Sequence, residues 1–185
     1  PIDRKSQDVK NERGANAIDG VSSIPPTRML VERPAYEQAV ETARRVAEEI
    51  TVGSAHDEGK HIGPVVSRQQ WDRIQSLIQT GIDEGARLVS GGPGLPEGVN
   101  RGYFVRPTVF ADVTPDMRIA NEEIFGPVGV VIPFDTEEEA IALANATDYG
   151  LATTVWTQDL GTAHRMAAAI EVGLCWINSW FLRDL

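Results

Sequence analysis

Cysteine is nearly absent: Cys175 is the sole one in 185 residues. That excludes an internal disulfide framework and suits a reducing compartment. Positive charge is also short. The 17 Lys and Arg against 27 Asp and Glu leave a net charge of −10. No Lys/Arg cluster offsets this, so a nucleic-acid backbone would be repelled. No apolar run approaches the length that crosses a bilayer. The N-terminus lacks the charged-then-apolar pattern of a secretory signal. These absences imply a soluble cytoplasmic protein that has neither nucleic acid nor a membrane as its partner. There is no internal repeat and no low-complexity segment.

Several motifs are incomplete. His56, His61 and His164 are scattered, with no further His, Cys or Glu at ligand spacing, so no metal is expected. The glycines from Gly91 to Gly98 lack the Gly-Lys-Ser/Thr ending of a phosphate-binding loop. Gly20-Val21-Ser22-Ser23-Ile24 lacks the second glycine of a nucleophile elbow, and no base partners it, so a serine acyl hydrolase has no support. Cys175 lies inside an apolar strand and reads as a core thiol.

A hydrophobic content of 42% is enough for a sizeable core, and the length suits one domain or one and a half small ones. Residues 1–19 are polar and aperiodic and read as an irregular lead-in. Met29-Leu30-Val31 reads as a short strand, and Pro34 sits well in the first turn of a helix. That helix carries Tyr36, Val40, Ala43, Val46, Ala47 and Ile50 on one face. Ser67 is a good N-cap for a second helix, with a stripe of Trp71, Ile74, Leu77, Ile78 and Ile82 and a stop at Gly85. Residues 87–90 read as a short strand. Residues 103–113 read as extended, with Pro107 marking an edge or a break.

Val128 to Phe134 is continuous and β-branched, a strand expected to be buried on both faces. Asp135 and Thr136 can cap a helix over 137–146, followed by a strand over 152–157. A further helix opens at Asp159 and stops at Gly173, and residues 174–178 form the last strand. This alternation implies a parallel sheet with right-handed crossovers, with ligands at the carboxyl ends of its strands. Asn178 lies at such an end. Trp176, Trp180 and Phe181 bunch beside it and serve either packing or a pocket lining.

Directly before the best strand stands Asn121-Glu122-Glu123-Ile124-Phe125-Gly126-Pro127-Val128. A Gly-Pro break anchored by a core strand can hold a carboxylate and a ring edge at a cleft. On chemistry alone an acidic surface turn capping the strand is the default, because charge runs are usually solvated faces.

Glu122-Glu123-Ile124-Phe125-Gly126-Pro127-Val128 resembles the signature of the NAD(P)-dependent aldehyde dehydrogenase superfamily. The stretches Pro26–Val31, Ile62–Ser67, Gly102–Phe110, Ala142–Asn145 and Tyr149–Ala152 fall in that family's order and spacing, so the resemblance covers roughly residues 20–185. It implies an α/β, parallel-sheet catalytic domain of that family's fold, partial and truncated at both ends, with the nucleotide-binding domain absent. It also implies NAD or NADP as cofactor in the full-length family, not bound by this chain alone, with a small aldehyde as substrate and a homo-oligomeric assembly. Glu123 matches the acid that binds the nicotinamide ribose hydroxyls. Phe125 matches the aromatic beside the nicotinamide.

The family's nucleophile motif reads Gly-Gln-x-Cys with an Arg five residues after the Cys. Counting back from Arg28 puts Ser23 at the nucleophile position and Val21 at the Gln, with Ser22 as the second choice for the nucleophile. A hydroxyl is a far poorer nucleophile near neutral pH than a thiolate. This chain alone is therefore expected to be inactive, either the catalytic portion of an aldehyde dehydrogenase or a non-catalytic assembly or binding domain derived from one. The segment Gly173–Leu185 is similar to that of hydroxymuconic and aminomuconic semialdehyde dehydrogenases. The resemblance places Arg183, with Asn178 and Trp180, on the substrate side, where a guanidinium fork suits a carboxylate. A solvated Arg183–Asp184 pair is the alternative.

Overall fold

The apolar run Val128–Phe134 becomes the strand on which the rest is laid. The computed structural model describes residues 27–54, 61–180 and 182. In chain order the elements are β1 (Arg28–Glu32), a 3-10 turn (Arg33–Ala35), α1 (Tyr36–Glu49), β2 (Thr51–Val52), β3 (His61–Ile62), α2 (Arg68–Asp83) and β4 (Arg87–Ser90). They continue as β5 (Thr108–Ala111), α3 (Arg118–Asn121), β6 (Val128–Phe134), α4 (Glu137–Ala144), β7 (Ala152–Val155), α5 (Leu160–Ala169) and β8 (Leu174–Ile177).

A four-stranded sheet runs in the order β1-β6-β5-β4. β6 pairs in parallel with β1, Arg28 opposite Val130, and with β5, Thr108 opposite Val128. β4 closes the edge antiparallel to β5, with a register shift between Leu88 and Ser90. Side chains alternate across β6. Val128, Val130 and Ile132 join Phe110 and meet Ile74, Leu77 and Ile78 of α2 and Ile119 of α3. Val131 and Val109 face the other way, onto Tyr36, Val40 and Ala47 of α1. The sheet is thus covered on both sides, which is why β6 could afford no polar residue.

The helix starts follow their caps. Ser67 Oγ accepts from the Gln70 amide, Thr136 from that of Glu139 and Asp159 from that of Thr162. Gly85 follows α2 at φ 92°, a left-handed position that suits glycine. α5, in contrast, ends at Ala169 because Ile170 turns extended, before Gly173 is reached.

β7 and β8 pair with each other in parallel, Ala152 opposite Leu174, as a separate two-stranded sheet. The strand alternation after Val128 therefore does not produce one ladder through β6, β7 and β8 among the described residues. β2 and β3 form a further two-stranded parallel pair. The extended stretch over 103–113 narrows to Thr108–Ala111, starting only after Pro107, which has no N–H to give a ladder. Among the described residues no helix is long and apolar enough to cross a membrane.

Candidate functional site

Between α3 and β6 the chain passes through Glu122 to Pro127, and each residue has a different fate. Ile124 is buried in the core. Phe125 is 60% exposed and has φ 55°. An aromatic side chain in the left-handed region is uncommon and persists only where its surroundings hold it.

Those surroundings come from one face of α2. The Gln70 carboxamide donates to the carbonyl oxygens of Ile124 at 3.0 Å and Phe125 at 3.1 Å. Arg73 donates to the carbonyl of Glu123 at 3.0 Å. Three consecutive carbonyls are therefore fixed by two side chains one helical turn apart. Next, Gly126 lies against Ile74 with no room for a side chain. Pro127 is buried, and its carbonyl accepts from the Thr108 amide at 2.8 Å, joining the loop to β5.

The two acids are treated differently. Glu122 accepts from Arg118 Nε at 2.7 Å, a hydrogen bond that holds its carboxyl below the usual carboxylate range. Arg118 in turn has its backbone N–H capped by Glu84 at 2.9 Å. The half-buried Glu123 carboxylate has no hydrogen-bond or ion-pair partner among the described residues. A carboxylate without a partner among the described residues and an exposed ring two residues on, both on a backbone fixed by three carbonyl bonds, are suited to a ligand that offers hydroxyls and a flat face.

The other residues singled out in the sequence fall elsewhere. Ser23 and Arg183 lie outside the described residues. Asn178 follows β8 at φ 52°. Its Oδ1 accepts from the Thr157 amide at 3.0 Å and its Nδ2 donates to the Thr157 carbonyl at 2.7 Å, so its carboxamide ties the ends of β7 and β8 together. Trp180 meets Trp176 edge-on, with ring centroids 5.4 Å apart. The structure thus gathers Glu123 and Phe125 into one loop and puts Asn178 and Trp180 in the β7–β8 unit. Cys175 is half-buried and burial pushes its thiol up, the opposite of an activated nucleophile. Among the described residues no group of three His, Cys, Asp or Glu could hold a metal ion. Gln70 and Arg73 were not legible as site residues. Their only local signal is a shared polar face of α2, which most surface helices have.

A model of the aldehyde dehydrogenase family matches residues 12–184. The chain belongs to the aldehyde dehydrogenase family. It is 40% identical over 175 residues to a 2-hydroxymuconic semialdehyde dehydrogenase of Pseudomonas sp. (strain CF600), covering 94% of this chain and 36% of that protein. It is 47% identical over 157 residues to a betaine aldehyde dehydrogenase of Agrobacterium fabrum, covering 84% of this chain and 32% of that one. Among solved structures, a mutant (C291A) of aldehyde dehydrogenase C from Pseudomonas syringae, complexed with NAD+ and octanal, superposes with a TM-score of 0.91 at 40% identity. That match covers 99% of this chain and 38% of the other. The chain spans about a third of the length of these relatives.

Proposed function

We propose that this chain is the catalytic-domain portion of an NAD(P)-dependent aldehyde dehydrogenase, and that the loop before β6 is its half-site for the nicotinamide end of the cofactor. The observation that carries the reading is the contrast at that loop: Glu122 is paired to Arg118, while Glu123, two residues before the outward ring of Phe125, has no partner among the described residues. Glu123 would accept from the two vicinal ribose hydroxyls, and the Phe125 ring would limit where the nicotinamide lies. When bound, the cofactor supplies the hydride acceptor for oxidation of an aldehyde to an acid.

Ser23 occupies the position that the resemblance gives to the cysteine nucleophile. In the family, that thiolate adds to the aldehyde carbon, and the resulting thioester is hydrolysed. A serine hydroxyl there is a weak attacker near neutral pH. That substitution favours a second reading for this chain, a non-catalytic assembly or binding domain. NADH formation from NAD+ with a panel of aldehydes, for this chain and for Ser23→Cys, separates the two. We expect this chain to be silent, and turnover by it would overturn the non-catalytic reading. Ser23→Cys, placed in a chain of the relatives' length, is expected to turn over. Silence there would overturn the dehydrogenase reading.

The substrate is proposed to be an aldehyde that carries a carboxylate, with Arg183 as its anchor. The similarity to a 2-hydroxymuconic semialdehyde dehydrogenase supports this. A betaine aldehyde dehydrogenase, similar as well, makes neutral and cationic aldehydes the comparison substrates. Arg183→Ala in the active longer enzyme should impair acidic aldehydes and spare neutral ones. Equal losses on both would sink the carboxylate anchor. Leu151, Leu174 and Ile177 are exposed around β7 and β8. That apolar surface is one that a second copy in a homo-oligomer would cover.

A further inference from the structure

Gln70 stands outside the residues so far given a role toward the cofactor, yet it makes the two bonds nearest the strained residue. Both bonds leave one nitrogen, Nε2, and reach the successive carbonyls of Ile124 and Phe125 at 3.0 and 3.1 Å. A primary amide has two N–H bonds, enough to give one to each carbonyl. The carbonyls belong to residues 54 and 55 positions further along the chain, so no local turn chemistry substitutes for them. Gln70 itself is placed firmly. It lies in the first turn of α2, where its own amide is capped by Ser67 at 3.2 Å, and the next residue, Trp71, donates to the Phe104 carbonyl at 2.7 Å.

We propose that Gln70 is a positioning residue for the nicotinamide half-site. It holds the Phe125 backbone in the left-handed conformation, with the ring outward and Glu123 unpaired among the described residues, before any cofactor arrives. The cofactor part of this rests on the reading given above. An aromatic residue at φ 55° would otherwise relax toward the extended or right-handed regions, turning the ring away and moving the Glu123 carboxylate with it. The site is thereby ordered in advance, so binding does not have to supply that ordering.

Gln70→Glu keeps the side-chain length and removes both donors, whereas Gln70→Lys keeps a donor. In the 185-residue chain, hydrogen exchange of the peptide spanning 122–127 is expected to quicken about tenfold in Gln70→Glu and to stay near the parent rate in Gln70→Lys, with α1 and β6 unchanged. In a chain of the relatives' length, Gln70→Glu should weaken NADH binding about tenfold and shift the emission of the bound reduced nicotinamide, with Gln70→Lys restoring both. Unchanged exchange at 122–127 in Gln70→Glu would overturn the proposal, and so would quickened exchange with NADH affinity and emission intact. Glu123→Gln serves as the separate control. If it leaves NADH binding unchanged while Gln70→Glu quickens the loop, the cofactor reading itself has failed, and the cofactor half of the proposal fails with it.

Discussion

Gly126 sits directly over Ile74: a Cβ on Gly126 would come within 2.7 Å of Ile74 Cδ1 and 3.0 Å of Cγ1. Ile74 is fully buried in the main core, so it has little room to yield. Gly126→Ala should therefore cost about 1–3 kcal/mol, the usual range for overpacking a filled core. Chemical denaturation measures it. A change within experimental error would show that the loop before β6 is not seated as described.

The second prediction concerns Tyr36, which is buried and joins three elements. Its hydroxyl lies 2.6 Å from the Asp112 amide, 3.2 Å from Asp112 Oδ1 and 3.1 Å from the Val131 carbonyl. Asp112 has φ 55° and takes a further bond from Arg87 Nε at 2.7 Å. Tyr36→Phe removes the acceptor and leaves the part-buried Asp112 amide without it. The expected cost is about 1–3 kcal/mol, read as a drop in the denaturation midpoint with unchanged slope. A neutral result would show that the Asp112 turn is held by Arg87 alone.

A third prediction follows from the carboxylates. Arg33 holds Asp135 below the usual range, Arg165 does so for Glu137, and the Thr162 amide does so for Asp159. A carboxyl whose folded pKa is depressed stabilises the fold fully above its unfolded pKa. It loses that contribution as pH falls through the folded value. Melting temperature should thus be flat from neutral pH down to about 5 and fall below about 4. The Arg33 pair is exposed and the Arg165 pair only partly covered, so the slope should be modest and should shrink in high salt. Glu137→Gln should have a shallower acid limb. A limb parallel to that of the parent chain would show that the Arg165 pair contributes nothing.

Local signals reached far into the fold. The β-branched run at 128–134 named the central strand to the residue, and Ser67, Thr136 and Asp159 marked three helix starts by the bonds their side chains make. What the sequence did not show depends on partners distant in the chain. The antiparallel edge strand β4, the separate pairing of β7 with β8 and the short β2–β3 pair each turn on which strand lies alongside. Periodicity carries no such information. The same holds at the candidate site. Glu123 and Phe125 stood out by motif, but Gln70 reaches its carbonyls only once α2 is packed beside the loop. Asn178 was expected at a strand end and is there, yet its carboxamide bonds to Thr157 were not foreseen.

The half-site is tested most directly by NADH binding to a chain of the relatives' length that carries these residues, with and without Glu123→Gln. The substitution removes the charge from the proposed acceptor of two hydroxyl hydrogen bonds and keeps the side chain's size. Bonds to a charged group of this kind are worth about 1.5–3 kcal/mol, so the dissociation constant should rise by about 10- to 150-fold. A dissociation constant that does not change would contradict the assignment of Glu123 and its loop to the nicotinamide ribose.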